Sequence, residues 1–507
     1  MPGATPEGSN RFAMKMIDQG LPPAAYPVLG RTGLKASQIG FGTYRVTDED
    51  PNHRSALLKA VSLGCNVIDT STNYTDGHSE RLVGAFLREE SIQRDEIILI
   101  SKVGYVQGQN LDYVLRREQT AHPLPDVVKY MDGCWHCIHP DFIQEQLEQS
   151  LERLGVDRID FYLLHNPEYY LMDQLNRNPD QRLDQVRDIF YDRITRAFRK
   201  LEEAVEEGKI AYYGVSSNTI GLGPHERTAV SVSQLWDIAC HVAKDKNGNP
   251  YQNHFAAVQF PANLLETEAI LNTNTDGELT TPEFCKQKEI AVFVNRPLNA
   301  IAANKMIRLA DLKITKTEKS VAEHLKIVMG LEEEFNESIA TQFETPPGTP
   351  KPESLFVWGH ELSQANLKSF GLEQWKHIEF QVIRPQVNHL SAAIDAQIKG
   401  PIAGKWSGWK ENYLAELNNL LESIRSDFSK QSKKQLAKLA TKLDEVLPTS
   451  LRNETLSRKA LAFLLNTPGI SCVLNGMRSE AYAKDSMGVL KLDRFDVKKD
   501  SYDKLTA

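Results

Sequence analysis

Cysteine is scarce in this 507-residue chain: six residues, at 65, 134, 137, 240, 285 and 472, are too few for a disulfide framework and suit a reducing compartment. No apolar run approaches the ~18 residues that a membrane helix needs. The first twenty residues, MPGATPEGSNRFAMKMIDQG, lack the charged-then-apolar layout of a secretory signal, so a cytoplasmic location is expected. Basic charge is not in excess either. With 59 Lys+Arg against 67 Asp+Glu the formal charge is −8, which leaves no global field to hold nucleic acid or anionic lipid. Glycine (30) and proline (24) are too sparse for collagen-like or low-complexity chains, and 41% hydrophobic residues can build a core.

What the sequence has is rhythm. Short apolar runs at 39–42, 66–69, 96–101, 158–164, 210–215, 255–259, 291–294 and 470–474 alternate with amphipathic segments near 54–63, 79–89, 141–154, 184–207, 229–243, 282–288, 450–466 and 479–489. Strand then helix, eight times over, predicts an α/β fold in which a parallel (β/α)8 barrel closes on itself. An open doubly wound sheet is disfavoured because no G-x-G-x-x-G follows an early strand. PVLGRTGLKASQIG, from Pro27, predicts an N-terminal β-hairpin, and residues 1–25 read as a loosely held arm.

Two stretches interrupt the alternation. Residues 104–139 form a long connection after the third strand, carrying Tyr, Trp, His and Cys. Residues 303–447, after the seventh strand, carry helical stripes such as Leu417, Leu420, Ile424 and Phe428, then Leu436, Leu439, Leu443 and Leu447. They predict an inserted helical module of three to five segments, with a Pro/Thr-rich loop at 344–354 and a kink or break at Pro385. Its root at Pro297 and Leu298 follows a strand end, so it is expected over the C-terminal rim, as a lid, an interface between copies of the chain, or a docking surface.

Four polar residues fall at or just past successive strand ends: Asp69 and Tyr74 after the second, Lys102 after the third and His165 after the fourth. A barrel brings such positions to one rim. A buried ammonium at Lys102, held by Asp69, would lower the pKa of Tyr74, which could then donate a proton to a carbonyl oxygen becoming an alkoxide. His165 would donate or accept a hydrogen bond that positions the same oxygen. CWHCIH places Cys134, His136, Cys137 and His139 at a spacing that thiolate and imidazole ligation could use. No second C-x-x-C completes it, so no metal is expected, and Trp135 and His136 read as substrate-pocket wall.

These motifs, with LGRTGLKASQIGFGTYRV, NVIDTSTNYTDGHSERLVG, ISKVG, RLGVDRIDFYLLH, YYGVSSN, VQFPANLL, VNRPL and TPGISCVLNGMRS in order, resemble the aldo-keto reductase superfamily over about residues 26–302 and 448–490. The resemblance implies NADP(H) bound without a Rossmann unit, and hydride exchange with a small aldehyde, ketone or sugar-like substrate. By matched position it implies a catalytic tetrad of Asp69, Tyr74, Lys102 and His165. It assigns the nicotinamide end to Ser216 and Gln259, with Asn263 in support, and the phosphate and adenine end to Gly476, Met477, Arg478, Tyr482 and Ser486. Further cofactor contacts fall on Gly42, Thr43, Tyr44, Asp69, Ser217, Asn295, Arg296, Pro297 and Leu298, with Tyr44 also facing substrate. The alternative is a regulatory subunit that holds NADP(H) and docks a partner through the insertion.

Overall fold

The computed structural model describes residues 2–506 apart from Glu90, Ala121, 276–277, 303–304, Lys313, Lys316 and 343–354, so the loop expected at 344–354 lies outside the described residues. Eight strands close into a barrel: Ile39–Gly42, Val67–Asp69, Ile98–Val103, Ile159–His165, Ile210–Ser216, Phe255–Pro261, Ala291–Asn295 and Cys472–Gly476. They are called strands 1 to 8 below. Every pairing is parallel and joins sequence neighbours, and strand 8 closes on strand 1 through Ile39 opposite Val473 and Gly42 opposite Gly476. The third and fourth strands are buried along their whole length, as a parallel sheet covered on both sides requires. Crossover helices such as Pro140–Leu154 and Leu183–Glu206 supply that cover, and the first of them stops at Gly155, whose φ of 65° is left-handed. The N-terminal hairpin is narrow: one antiparallel bridge, Val28 to Lys35, around a single turn of 3-10 helix.

Residues 1–25 are not the loose arm expected. Pro6–Asp18 is a helix, begun by the Thr5 hydroxyl, which accepts from the Gly8 amide, and by Pro6 in the first turn. Phe12, Ala13 and Met16 are buried, and the Ala4 amide donates to Asp160 Oδ1 at 2.7 Å. Burying the Phe12 ring alone stabilises this attachment by roughly 1.5–3 kcal/mol. Gly8 is where the helix comes closest to its support, since a Cβ there would stand 2.3 Å from the Asp95 carbonyl oxygen.

The 104–139 connection is likewise ordered. Tyr105–Val106, Val128–Met131 and Cys134–His136 form a three-stranded antiparallel sheet with the last strand in the middle, and Gln109–Gln119 is a helix.

By contact the chain divides into two compact units, Met1–Leu298 with Leu443–Ala507, and Asn299–Lys442. The second unit opens on a hairpin, Asn299–Ala302 with Lys305–Arg308, ahead of its first long helix. Its helices include Val321–Ser338, Leu372–Ile378, Arg384–Gln397 and the 45-residue Ile402–Val446, which unites two predicted stripes in one rod. Pro385 does not end a helix: it stands in the first turn after a π-helical stretch, Glu379–Ile383, that widens the backbone ahead of it. Burial of Glu379 fits this distortion, because its Oε1 accepts from Arg384 Nη2 at 2.8 Å and Arg425 Nη1 at 2.6 Å. Phe335, Phe356, Trp406, Trp409 and Tyr413 form the aromatic centre of this unit, with the Trp409 and Tyr413 rings stacked at 4.9 Å. Beside them the buried Glu332 accepts from the Gly359 amide at 2.6 Å and the Tyr413 hydroxyl at 3.1 Å.

Candidate active site

The C-terminal ends of strands 2, 3 and 4 bring four side chains together. Lys102, fully buried, uses all three ammonium protons: Nζ donates to Asp69 Oδ2 at 2.8 Å, to the Thr70 carbonyl oxygen at 2.8 Å and to the Tyr74 hydroxyl at 3.3 Å. Tyr74 opens a short 3-10 turn in which Thr75 and Asp76 take positive φ, so the chain doubles back and returns the ring to the rim. Its ring meets His165 edge-on at 5.9 Å and Tyr44 at 5.3 Å. Tyr44 is 61% exposed, which puts it on the open side of the group.

Electrostatics here differ in one respect from the sequence-based expectation. Burial pushes the Tyr74 hydroxyl well above the ordinary tyrosine range, and the negative charge of Asp69 adds to this, so the ring is held neutral and is not tuned toward phenolate. The same burial draws Lys102 downward, against the opposing pull of Asp69. His165 is held far below 6.5 by burial, with Lys102 and His136 contributing, so its imidazole is neutral.

Around this group runs a second ring of amides and hydroxyls. Gln259 Nε2 donates to Asp69 Oδ1 at 2.9 Å, and its Oε1 accepts from Ser216 Oγ at 3.0 Å and Asn295 Nδ2 at 3.1 Å. Strands 5, 6 and 7 are thereby tied to strand 2. Asn295 Oδ1 is sealed from solvent and accepts from no described residue. Thr43, next to Gly42, donates to the Asp69 carbonyl oxygen through Oγ1 at 3.0 Å. Ser217 pairs with Thr219 at 3.2 Å, and Arg296 is committed to Glu266 at 2.7 Å, with Asn263 Nδ2 also on Glu266 at 2.7 Å. Pro297 and Leu298 are buried.

After strand 8, Gly476 and Arg478 are exposed while Met477 points inward. No described residue stands within 4 Å of where a Gly476 Cβ would be, and the Arg478 guanidinium has no hydrogen-bond or ion-pair partner among the described residues. Tyr482 is half exposed on the helix Glu480–Gly488. Ser486, expected with it at the adenine end, is 2% exposed and turned inward, its hydroxyl accepting from Asn475 Nδ2 at 2.8 Å.

The CWHCIH segment resolves differently from a pocket wall. His136 is 1% exposed, and its Nε2 donates to the His165 carbonyl oxygen at 2.7 Å, so it stands behind the rim and not in front of it. Burial lowers its pKa to about 4, which makes it a neutral donor. Gly104 leaves the space: a Cβ there would stand 2.5 Å from both His136 Nε2 and the His165 oxygen. Trp135 is half-buried, with Lys129 Nζ over its ring at 4.4 Å. His139 caps the helix Pro140–Leu154, and Cys137 is buried.

Glu168 carries no motif and went unread in the sequence. It lies three residues past His165, 1% exposed, with Oε1 accepting from the Asn218 amide at 2.8 Å and the Ser217 hydroxyl also against the carboxylate. Burial pushes its carboxyl up to about 7.

The sequence profile of the Aldo/keto reductase family matches residues 38–300, just over half of the chain. This chain belongs to the aldo/keto reductase family. Among similar proteins, a putative voltage-gated potassium channel subunit beta of Schizosaccharomyces pombe is 28% identical over 246 residues, covering 48% of this chain and 57% of that protein. Aldo-keto reductase AMT2 of Alternaria alternata is 26% identical over 304 residues, covering 57% and 68%. An uncharacterized oxidoreductase of Bacillus subtilis, YqkF, is matched over 47% of its length, so this chain spans about half of some relatives. Among solved structures, aldo-keto reductase AKR11C1 from Bacillus halodurans, in its holo form, has 17% identity and a TM-score of 0.44, with 95% of each chain covered. No described helix is long and apolar enough to cross a membrane.

Proposed function

We propose that this aldo/keto reductase family member is an NADP(H)-dependent oxidoreductase that interconverts a small carbonyl compound and its alcohol, with Tyr74 as general acid and base. The observation that carries the reading is the continuous contact from Asp69 through Lys102 to the Tyr74 hydroxyl, beside a neutral His165. Tyr74 holds its proton at neutral pH, so it is ready to donate to a carbonyl oxygen gaining negative charge. Lys102, 3.3 Å away, stabilises the phenolate left behind, and Asp69 keeps the ammonium charged and aimed. In the alcohol-to-carbonyl direction the same tyrosine takes the proton back.

The residues present fit the cofactor. A carboxamide offers both donor and acceptor, matching the Ser216, Gln259 and Asn295 group with its orphan Asn295 Oδ1. Arg478, unpaired beside the open space at Gly476, suits a phosphate, which a guanidinium can grip through two oxygens. When bound, NADPH supplies the hydride.

Following NADPH absorbance over a panel of aldehydes and ketones tests the proposal. Tyr74→Phe is expected to keep cofactor binding and to lose turnover by about 10²–10⁴-fold. A wild-type rate in the Phe variant refutes the assignment. A regulatory subunit is the second reading, favoured by the name of the Schizosaccharomyces pombe relative; tight NADPH binding by the wild type without turnover of any carbonyl would select it.

A further inference from the structure

The opposite end of the barrel carries a cleft of about 520 Å³, bounded by Ala24, Gln38 and residues 465–468 and 494–496. Gln38 precedes the first residue of strand 1, and 465–468 lie ahead of strand 8. The cleft therefore opens on the N-terminal face, whereas Asp69, Tyr74, Lys102 and His165 occupy the C-terminal one. Part of its wall is fully engaged. Asn466 accepts the Phe495 amide proton through Oδ1 at 3.1 Å and donates to the Ala462 carbonyl oxygen at 2.8 Å, and the Thr467 hydroxyl is shared between the Phe463 carbonyl oxygen and the Tyr502 hydroxyl. Three other side chains are not. The Arg494 guanidinium is half-buried, yet among the described residues it donates only to the Ala24 carbonyl oxygen, at 3.3 Å, and its Nε has no acceptor. Burial pulls it below its ordinary range with no carboxylate to oppose this, unlike Arg153 and Arg296, which rest on Glu80 and Glu266. Gln38 is 8% exposed; its Oε1 accepts from no described residue, and its Nε2 reaches only the Leu465 carbonyl oxygen at 3.5 Å, the outer limit of a hydrogen bond. Asp496 is exposed, and no ion pair joins it to Arg494 two residues away.

We propose that this cleft is a second ligand site and takes a free α-amino acid, with its carboxylate on the Arg494 guanidinium and its ammonium on Gln38 Oε1 and the Asp496 carboxylate. The unmet capacity of the wall selects that class. A guanidinium without a counter-ion suits an anion with two oxygens in one plane. An amide oxygen without a donor, together with an unpaired carboxylate, suits N–H groups and positive charge on the same ligand. A plain carboxylic acid would leave Gln38 Oε1 unsatisfied and set its charge against Asp496, and an amine alone would leave Arg494 unpaired. A zwitterion meets all three. The helix Leu456–Leu465 ends at the cleft, and the partial negative charge at the carbonyl end of a helix favours the ammonium there. Leu465 and Phe495 supply apolar wall for the ligand's side chain. The site lies wholly within the barrel unit, on the face away from Tyr74, and does not depend on the carbonyl–alcohol reading.

Isothermal titration calorimetry on the full chain, with each common L-amino acid in turn as the probe, tests this. At least one is expected to bind with a Kd of about 1 mM or tighter, and to raise the unfolding temperature as it does so. For that amino acid, the analogue without the ammonium and the analogue without the carboxylate are each expected to bind about tenfold more weakly or worse; for leucine these are isocaproate and isoamylamine. Arg494→Met and Gln38→Met are each expected to weaken the amino acid by about tenfold, with NADPH affinity unchanged in both. Should Arg494→Met fail to fold, Arg494→Lys keeps a donor for Ala24 but loses the planar fork, and the same direction of change is expected of it. No binding of any amino acid at about 10 mM overturns the proposal. An analogue that binds as tightly as its parent overturns the zwitterion, and affinity undiminished in the folded variants overturns the location.

Discussion

Replacing Glu168 by glutamine tests whether a buried acid on the rim is held protonated by its surroundings. Glu168 Oε1 accepts the Asn218 amide proton, linking the turn after strand 4 to the turn after strand 5, and an amide oxygen can keep that bond. What glutamine removes is the ionisation. The folded-state value of about 7 lies above the ordinary 4.5. Between those two pH values an unfolded chain releases the Glu168 proton while the folded chain retains it, so the unfolded state binds fewer protons and stability falls as pH rises. The loss begins near pH 4.5 and is complete once pH passes 7. At about 1.36 kcal/mol per pKa unit, the difference amounts to roughly 3 kcal/mol. Reversible urea unfolding of wild type and Glu168→Gln at pH 4.5 and pH 8 gives the comparison directly. Relative to wild type, the glutamine variant should be more stable at pH 8 than at pH 4.5 by about that amount. A stability difference that is the same at both pH values would refute the reasoning, because a lost or gained contact has no reason to titrate.

Two further outcomes are expected. Arg478→Ala should weaken NADPH by tenfold or more and leave NADH nearly unchanged, since a charge-assisted hydrogen bond contributes about 1.5–3 kcal/mol; fluorescence titration of both nucleotides checks it, and equal effects on the two would place the guanidinium away from the extra phosphate. Glu332→Ala, which strands the Gly359 amide and the Tyr413 hydroxyl in the aromatic centre of the second unit, should lower stability by about 3 kcal/mol as read by urea unfolding, and a change under about 0.5 kcal/mol would show that water replaces the carboxylate.

The barrel was legible because each of its strands is a short run that must be apolar on both faces, bounded by turns, and the alternation repeats to closure. Asp69, Tyr74, Lys102 and His165 were legible for a related reason: strand ends are visible in sequence, and parallel closure fixes which ends share a rim. The N-terminal helix was signalled by Thr5, Pro6 and Glu7, yet its apolar face amounts to a few residues on a polar background. Strands of two to four residues at 105–136 leave no periodicity to find. Other features had no local signature at all. Glu168 is buried through an amide fifty positions on, and His136 answers to a backbone carbonyl. The Tyr74 hydroxyl shifts upward against the pull of a neighbouring cation: adjacency to a cation is written in the sequence, while depth of burial is not.

Closure of the barrel also sets a timetable for biosynthesis. Gly42 on strand 1 pairs with Gly476 on strand 8, 434 positions later, and the whole of the second unit is made in between. At ~5–20 residues per second, strand 1 leaves the ribosome about 20–90 s before its partner exists. Strand 1 offers an unpaired edge throughout that interval and strand 7 from residue 295 onward, the situation in which nascent chains stick to one another. The segment 299–442 clusters as a compact unit by its internal contacts, whereas the barrel lacks its closing strand until residue 476 is made. Yield of folded protein should therefore respond strongly to growth temperature and chaperone supply. A circular permutant that opens the chain between strands 4 and 5 and joins the present termini would bring strands 8 and 1 closer in the order of synthesis.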